Sequence, residues 1–597
     1  MPEFTTRQEL AILYSRRKEQ FSSLLSAETR KINIVSNFRL LTALILIVLV
    51  YLAFRDITWI YVALVDLLIF VILVYKHAKL FRTKTHLENL IKVNVWEHAA
   101  MSGDISSFSP GTEFMDQHHS YTHDLDIFGP GSLFQSVNRC NTFFGRAAFA
   151  RLLSTPLSTK EEIVQNQEAV KELSVKLDFR QDFQAAGSEI NELPGDRQEL
   201  LDWLKLPSII YGNKWLALAI WLLPAITISA LIAVIFFPVP NLVLIIPVVT
   251  QWIHASTYSK RISVFHDYIS RKKGILEKYA QILKFIQPEQ FQSSRMKALK
   301  AKAAEADVRV QKLAGLVNAL NARLNSIMWL VVNSFFMYDI RCVYRLEEWK
   351  TDNSTKLKYW LDAISETEVL CSLGTFGFNN SSFVFPEIHE KVSIEASGMG
   401  HPLVPVEKCI TNDVSIGNKA SVFIITGANM AGKSTFLRTI GVNFVLAKTG
   451  APVFAKEFKC PVIPLRSGMR TADSLKDNES YFYAELHRLK AIMDELRSGK
   501  PLFILLDEIL KGTNSGDKQR GSIALVRQLL EHPCLTLVAT HDLALGDLEN
   551  EFPDKVKNYR FEANIENDQL SFDYKLNPGV AQKMNATFLM KKMGIIP

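Results

Sequence analysis

The stretch that decides the fold is ASVFIITGANMAGKSTFLRTIG, residues 420–441. It predicts a hydrophobic β-strand, a glycine-containing loop and the start of a helix, in that order. The segment Gly427-x-x-x-x-Gly432-Lys433-Ser434 matches the phosphate-binding loop pattern at every fixed position. Its glycines let backbone N–H groups converge on phosphate oxygens, and the helix N-terminus adds its positive end. The pattern predicts a nucleotide site in which Lys433 reaches the β- and γ-phosphates and the Ser434 hydroxyl binds Mg²⁺.

Two further hydrophobic runs end in acidic and imidazole side chains. LFILLDE, residues 502–508, predicts a buried strand that ends in Asp507 and Glu508. Asp507 is suited to hold Mg²⁺ through its water shell, and Glu508 to polarise an attacking water. A third strand, TLVAT, is followed by His541, where a histidine can sense the γ-phosphate. The predicted ATPase site comprises the catalytic residues Lys433, Glu508 and His541, the Mg²⁺ ligands Ser434 and Asp507, and the ATP-binding residues Gly427, Ala428, Asn429, Met430, Ala431, Gly432, Lys433, Ser434 and Thr435.

Composition sets limits on the rest of the chain. At 597 residues the chain is too long for one compact core, so we expect two or more folded units. The net charge of +7 suits a nucleic-acid or anionic-membrane partner without demanding either. Six scattered cysteines form no Cys-x-x-Cys pair, which argues against a zinc site or a disulfide framework and fits a reducing cytoplasm.

Two apolar runs between Phe38 and Tyr75 predict a first transmembrane hairpin. FRLLTALILIVLVYLAF and ITWIYVALVDLLIFVILVY are separated only by Arg55 and Asp56. The second run is long enough to cross roughly 30 Å of hydrocarbon, and the first is slightly short. Basic residues at both outer ends place those ends in the cytoplasm by the positive-inside rule. A buried helical hairpin in a soluble core is the alternative.

A second hairpin is predicted by WLALAIWLLPAITISALIAVIFF, residues 215–237, and LVLIIPVVTQWI, residues 242–253. The second arm is short and contains Pro247 and Gln251, which leaves a re-entrant or tilted segment open. Elsewhere, helical spacing of apolar residues predicts an all-α core, and short β-branched runs alternate with helices from about Val392 onward. A Lys/Arg-rich run at 295–302 is interpreted as a solvated helix face, with a nucleic-acid contact as the alternative.

The motifs together resemble those of the MutS family of DNA mismatch-repair ATPases. TGANMAGKST is similar to that family's TGPNMGGKST loop, with Ala428 and Ala431 in place of a proline and a glycine. DEILKGTNSGDKQRGSIA and ATHD resemble two further ATPase blocks of the family. NESYFYAEL resembles the segment whose serine reaches the γ-phosphate of the partner subunit, and Ser480 is the matching residue. The resemblance therefore implies a homodimer with composite ATP sites, each completed by Ser480 in trans.

The resemblance extends upstream but includes departures. The segment 124–157 resembles the start of the MutS helical core, whereas no Phe-x-Glu wedge or mismatch-recognition domain is found ahead of it. Cys409 lies about where the family often has an aromatic residue on the adenine. The family's DNA clamp is inserted within the helical core, and the apolar hairpin 215–253 is the inserted element in this chain. We therefore hypothesise that a membrane hairpin has replaced the clamp.

The predicted fold class is an α/β P-loop ATPase domain of the ABC/MutS type plus an all-α core and lever, with about four transmembrane helices in two hairpins. The resemblance and the two apolar hairpins together predict a multi-pass ATPase of the cell (inner) membrane, with a cytoplasmic ATPase domain that acts on DNA in repair or recombination. A membrane-remodelling or transport-coupled ATPase, or an ATP-switched scaffold, remains the alternative. The predicted segments are 1–84 with the first hairpin, 85–213 for the first part of the core, 214–258 for the second hairpin, 259–375 for the long helices, and 376–597 for the ATPase domain.

Overall fold

The computed structural model describes residues 6–188, 192–321, 326–418, 420–428, 430–470, 481–566 and 569–582, together with 590 and 595–596. Fourteen of the described α-helices come before the first strand, and four more alternate with the strands. The helices before the first strand are α1 Arg7–Ala53, α2 Trp59–Met101, α3 Leu133–Val137, α4 Phe143–Ser154, α5 Lys160–Val175, α6 Leu177–Gly187, α7 Asp196–Lys205, α8 Lys214–Phe236, α9 Leu242–Ile269, α10 Lys273–Ile286, α11 Ser294–Lys302, α12 Ala306–Asn321, α13 Ser326–Phe336 and α14 Tyr338–Asn379.

The first predicted hairpin is formed by α1 and α2. A capping box begins α1, because Thr6 accepts from the Glu9 N–H and the Glu9 side chain accepts from the Thr6 N–H. α1 has 47 residues, so it is roughly 70 Å long, about twice the thickness of a hydrocarbon core. The half nearest the turn is apolar and mostly exposed, and near the start of α1 the side chains of Leu10 and Tyr14 are buried. The boundary expected at residue 84 falls inside α2, which continues without a break.

Buried polar contacts tie the far end of this hairpin to the core. The Tyr14 hydroxyl donates to Asn379 Oδ1 at 2.6 Å, and Asn379 Nδ2 donates to Glu97 Oε2 at 2.9 Å. Glu97 also forms a buried ion pair with Arg139. Buried charges are stable only when they are paired and hydrogen-bonded, so these contacts hold α1, α2 and the end of α14 in one fixed arrangement.

The second hairpin is formed by α8 and α9, and both are continuous helices with an internal proline, Pro224 and Pro247. Gln251 Nε2 donates to the Leu223 carbonyl at 3.2 Å and contacts the Thr227 hydroxyl, which joins the two helices. The second arm, residues 242–253, is therefore the start of a continuous helix of 28 residues.

In the part of the chain that the structure describes, four helices, α1, α2, α8 and α9, are long and apolar enough to cross a membrane. Between 11% and 22% of the apolar stretch of each is buried. Exposed apolar surface of this extent is not typical of a soluble monomer and marks contact with lipid or protein.

Helix α14 joins the second hairpin to the rest of the core. The buried Glu347 carboxylate accepts the backbone N–H groups of three consecutive residues just before α8, at 2.5, 2.9 and 2.7 Å: Ile209, Ile210 and Tyr211. One turn along α14, Lys350 Nζ donates to the Leu206 carbonyl at 2.6 Å. The boundaries expected at 258/259 and 375/376 also fall inside helices, α9 and α14, because these helices continue from one region into the next.

The carboxy-terminal part is an α/β arrangement built from two sheets and a small hairpin. Its strands are β1 Glu387–His389, β2 Ile394–Met399, β3 Asn412–Ile416, β4 Val422–Gly427, β5 Glu457–Pro461, β6 Leu465–Gly468, β7 Leu502–Asp507, β8 Cys534–Thr540, β9 Val556–Phe561, β10 Ala563–Glu566, β11 Gln569–Phe572 and β12 Asn577–Pro578. Its helices are α15 Lys433–Thr449, α16 Tyr481–Arg497, α17 Ser515–Leu529 and α18 Leu548–Glu551.

The larger sheet has the order β12-β9-β4-β8-β7-β6. Strands β9, β4, β8, β7 and β6 are parallel, and β12 pairs antiparallel with β9. The central strand β4 is buried on both faces, as the continuous apolar sequence of a covered parallel strand predicts. The smaller sheet has the order β1-β5-β2-β3 and lies before the loop in the sequence, apart from β5. The carboxyl ends of β4, β7 and β8 therefore meet at one edge of the larger sheet.

Candidate functional site

The loop between β4 and α15 adopts a backbone that depends on glycine. Gly427 and Gly432 have positive φ angles of 154° and 106°, and Met430 between them has a φ of 66°. A Cβ atom on Gly427 would lie 2.6 Å from the carbonyl oxygen of Phe561, on the neighbouring strand β9. The first glycine is thus required for space as well as for conformation, since β4 and β9 pair at that point.

The side chain of Lys433 is enclosed by the loop. Its Nζ donates to the carbonyl oxygens of Gly427 at 2.7 Å and Ala428 at 2.9 Å, and it lies 3.4 Å from Nε2 of His541. Burial lowers the pKa of Lys433 from its ordinary value, and the nearby Glu508 and Asp507 oppose this effect. The ammonium group is therefore fixed at the first turn of α15, where the helix N-terminus also favours an anion.

Glu508 and His541 lie in contact because β7 and β8 are parallel neighbours. The Glu508 N–H donates to the Ala539 carbonyl at 2.8 Å, and His541 Nε2 lies 2.8 Å from Glu508 Oε1. Lys511 Nζ lies 3.3 Å from the other carboxylate oxygen. The hydrogen bond from His541, aided by Lys511, lowers the pKa of Glu508 to about 2. Since a carboxyl group is ionised above its pKa, Glu508 is a carboxylate at every physiological pH.

Asp507, at the end of β7, has a buried oxygen to which the structure assigns no protein ligand. Its Oδ1 atom has no hydrogen-bond partner among the described residues. Buried carboxylate oxygens are otherwise paired, hydrogen-bonded or bound to a metal ion. An unpaired carboxylate oxygen beside a phosphate-type loop is a suitable Mg²⁺ ligand, because Mg²⁺ prefers one or two carboxylates together with phosphate oxygens.

The loop forms one wall of a cavity of 560 Å³, within the usual volume range of small-molecule sites. Seven predicted loop residues line it: Ala428, Met430, Ala431, Gly432, Lys433, Ser434 and Thr435. Glu508 lines the same cavity, and the lining also includes His401, Cys409, Asn412, Phe561 and Tyr574. Burial lowers the pKa of His401 to about 4, so this imidazole is neutral at pH 7.

Tyr574 is a cavity residue that the sequence patterns did not reveal. Asn412 fixes the segment around it, because its Nδ2 donates to the Tyr574 carbonyl at 3.0 Å and its Oδ1 accepts the Leu576 N–H at 2.8 Å. Cys409 lines the cavity, and Tyr574, which follows β11, supplies an aromatic ring to the same cavity. Its only sequence signal is the aromatic pair in FDY near the end of the chain.

Two predicted residues, Asn429 and Ser480, lie outside the described residues. The basic run at 295–302 is described, and several of its charges are already paired. Glu366 binds Arg295 at 2.5 Å and Lys302 at 3.4 Å, and Lys300 donates to the Glu289 carbonyl at 2.8 Å. These contacts favour the interpretation of the run as a solvated helix face.

Comparison with known proteins matches this part of the chain to one family. Residues 423–595 match the family model of MutS domain V. The chain is 31% identical over 254 residues to the DNA mismatch repair protein MutS of Thermotoga sp. (strain RQ2). It is 30% identical over 250 residues to the DNA mismatch repair protein MutS of Chloroflexus aurantiacus (strain ATCC 29366 / DSM 635 / J-10-fl). The carboxy-terminal part of the chain is therefore similar in sequence to MutS proteins and to their domain V.

The similarity to MutS proteins is confined to part of each chain. The two alignments cover 42% and 40% of this chain, and 31% and 26% of the respective relatives. The chain thus spans less than a third of the length of the curated relatives it matches. The loop, Asp507 at the end of β7, Glu508 after it and His541 all lie in the matched region.

Gly427→Ala tests the role of the loop backbone. The added Cβ would press on the Phe561 carbonyl, so we expect ATP binding to weaken at least about tenfold and the free energy of unfolding to fall by about 1–3 kcal/mol. Both can be measured with a fluorescent ATP analogue and by thermal unfolding in detergent.

The matched control for this variant is Gly499→Ala. Gly499 also has a positive φ, but a Cβ there would meet no atom within 4 Å. This control is expected to lose a comparable or smaller amount of stability and to keep its affinity for the analogue. Equal affinities for the two variants would contradict the inferred role of Gly427.

Proposed function

We propose that the protein is a membrane-anchored, MutS-type ATPase that hydrolyses ATP at the cavity beside the 427–434 loop. The observation that carries this proposal is the contact between Lys433, His541 and Glu508 at the carboxyl edge of the parallel sheet. A cation, an imidazole and an ionised carboxylate meet there beside the first turn of α15. This is the set of groups that γ-phosphate hydrolysis uses for positioning and charge stabilisation.

In this proposal each side chain has a separate role. Lys433 binds the β- and γ-phosphate oxygens, which then replace the loop carbonyls as its partners. Ser434 and Asp507 would hold Mg²⁺, which neutralises phosphate charge when bound. Glu508 orients and polarises the attacking water, since a carboxylate with a pKa of about 2 is too weak a base to deprotonate that water beforehand. Contact of His541 with the γ-phosphate would release Glu508 and raise its pKa, which would strengthen it as a base.

Residues outside the described part complete the proposed site. Asn429 belongs to the loop and would donate to phosphate oxygens, and Ser480 would reach the γ-phosphate of a second subunit. The resulting homodimer would have two composite ATP sites, so that ATP binding and dimer closure are one linked event.

The two hairpins are proposed to cross the cell (inner) membrane, with the ATPase part on the cytoplasmic side. Support comes from the exposed apolar surface of α1, α2, α8 and α9, and from the basic residues at the outer ends of the hairpins. Glu347 and Lys350 hold the segment that enters α8. A movement of α14 would therefore displace the start of α8 in the second hairpin.

Two classes of partner fit the proposed ATPase. The names of the relatives include DNA mismatch repair, which supports a DNA partner for this chain in repair or recombination. The apolar hairpin α8–α9 and the paired charges of the 295–302 run support instead an ATPase that remodels or transports at the bilayer, or a scaffold switched by ATP. The exposed hairpin is the specific observation that favours this second class.

Glu508→Gln tests ATP hydrolysis. The amide retains the size of the side chain and a hydrogen bond to His541, but it cannot accept a proton, so phosphate release should fall by about 10²–10⁴-fold while ATP binding is kept. Sedimentation of the purified protein should then show an ATP-dependent dimer that persists. Glu551→Gln, which changes an exposed carboxylate paired with Arg527, should hydrolyse ATP at the original rate. Unchanged phosphate release in Glu508→Gln would refute the proposed site.

DNA binding by the full-length protein in detergent separates the two partner classes. A surface that contacts phosphates should bind duplex, branched or mismatched DNA at low salt, and the affinity should fall linearly on a log–log plot as salt rises. The measurement is fluorescence anisotropy with and without ATP. No binding to these DNAs at low salt would leave the membrane class as the function of the protein.

A further inference from the structure

Asp124 is a fully buried carboxylate at the contact between the helical core and the carboxy-terminal α/β part. It lies in the segment before α3, far in sequence from every strand. Its exposed fraction is 0%. A buried carboxylate is stable only when several hydrogen-bond donors surround it, so the donors identify the segments that Asp124 keeps in place.

The partners of the Asp124 carboxylate all belong to the ATPase part. Oδ2 accepts from the Ser467 hydroxyl at 2.6 Å and from the Met469 N–H at 3.1 Å, and Oδ1 accepts from the Arg470 N–H at 3.0 Å. Arg488 on α16 lies 3.3 Å from Oδ2. One carboxylate thus binds the last residues of β6, the two residues after it, and the helix that follows in the chain.

The same segment of the core also contacts α15, the helix that follows the 427–434 loop. Arg438 on α15 donates from Nε to the Asp124 carbonyl at 3.1 Å, and its guanidinium lies 3.6 Å from Asp126. Asp126 in turn binds Arg470 at 2.5 and 3.1 Å. Arg438 lies one helical turn after Ser434, so Asp124 is in contact with both flanks of the proposed ATP site.

The segment that Asp124 binds and the two acids of the proposed site border one small cavity. Gly468, Met469 and Arg470 line it together with Asp507 and Glu508. Its volume is 10 Å³, about that of one water probe. Any shift of residues 468–470 would therefore change the wall against which Asp507 and Glu508 are placed.

We propose that Asp124 is a positioning residue through which the helical core sets the geometry of the ATP site. This inference rests on the proposed ATPase function and deepens it. By fixing residues 467–470, Asp124 sets the wall behind Asp507 and Glu508 and the point from which the chain continues toward Ser480. The carboxylate touches neither ATP nor Mg²⁺, so its effect falls on hydrolysis and not on nucleotide affinity.

The physical basis is that three donors from one short segment share a single carboxylate. Two of them are backbone N–H groups, which keep their direction only while the acceptor is in place. Replacement of the carboxylate by an amide sets an NH₂ group against at least one of these donors. Residues 468–470 must then move, and displacement of catalytic groups by even about 1 Å can lower a rate by about 10²-fold.

Asp124→Asn tests the proposal in the full-length protein. We expect the rate of phosphate release at saturating ATP to fall at least about tenfold, with the dissociation constant of a fluorescent ATP analogue unchanged within about twofold. The matched control is Glu368→Gln. Glu368 is also a buried carboxylate of the helical core, and it accepts the Asn141 and Thr142 N–H groups at 2.8 and 3.0 Å, but its acceptor contacts lie within the core.

The outcomes separate positioning from general stability. Glu368→Gln should keep the original rate even if its unfolding temperature falls as far as that of Asp124→Asn. If Asp124→Asn does not fold, Ser467→Ala, which removes one donor, should show a smaller loss of rate with the affinity kept. An unchanged rate in these variants, or equal losses of rate in Asp124→Asn and Glu368→Gln, would overturn the proposal. If the unmodified protein releases no phosphate, the proposed function fails and the inference fails with it.

Discussion

The structure depends on buried polar contacts along helix α14. At one end of this helix, Glu347 binds the backbone just before α8, and at the other end Asn379 bonds with Tyr14 and Glu97. Both sets of contacts are shielded from water, where an unpaired polar group costs about 1–3 kcal/mol. The two apolar hairpins and the α/β part are thus held by one helix of 42 residues, and neither hairpin is a loosely attached anchor.

This arrangement relates the ends of the hairpins to the proposed ATP site. The segment that contains Asp124 extends from the helical core to β6 and α15, while α14 extends from the second hairpin to the last residues before β1. If hydrolysis changes the position of β6 or α15, the core segment bonded to them would also move. The core in turn contacts both hairpins. The proposed coupling between a bound nucleotide and the apolar hairpins would then run through packed, hydrogen-bonded elements rather than through a flexible linker.

Local sequence patterns predicted the elements that carry the proposed chemistry. The loop, the strand that ends in Asp507 and the position of His541 follow from glycine spacing and apolar runs, because the carboxyl ends of parallel strands meet at one edge. The positions of the two hairpin turns were also predicted, because each turn lies between two long apolar runs. In contrast, the contacts of Asp124, Glu347 and Tyr574 join residues far apart in sequence, so no local pattern contains them.

The differences from expectation have the same origin. The predicted segment boundaries at residues 84, 258 and 375 lie within α2, α9 and α14, because a helix continues wherever its backbone hydrogen bonds are kept. Along α2 and α9 the sequence changes from apolar to charged within one continuous helix. Composition reflects the surroundings that each part of a helix suits. It does not report where the helix ends, so domain boundaries drawn from composition alone divide helices that are continuous.

The most direct test of the account is the topology of the α8–α9 turn relative to the ATPase part. Single-cysteine variants Asn241→Cys, in the turn, and Ser498→Cys, in the exposed loop after α16, can be labelled with a membrane-impermeant maleimide in sealed, right-side-out vesicles. The account predicts that the reagent labels the Asn241→Cys variant in intact vesicles and labels the Ser498→Cys variant only after the vesicles are opened. Labelling of both sites only in opened vesicles would contradict a membrane-crossing hairpin that is held by the ATPase.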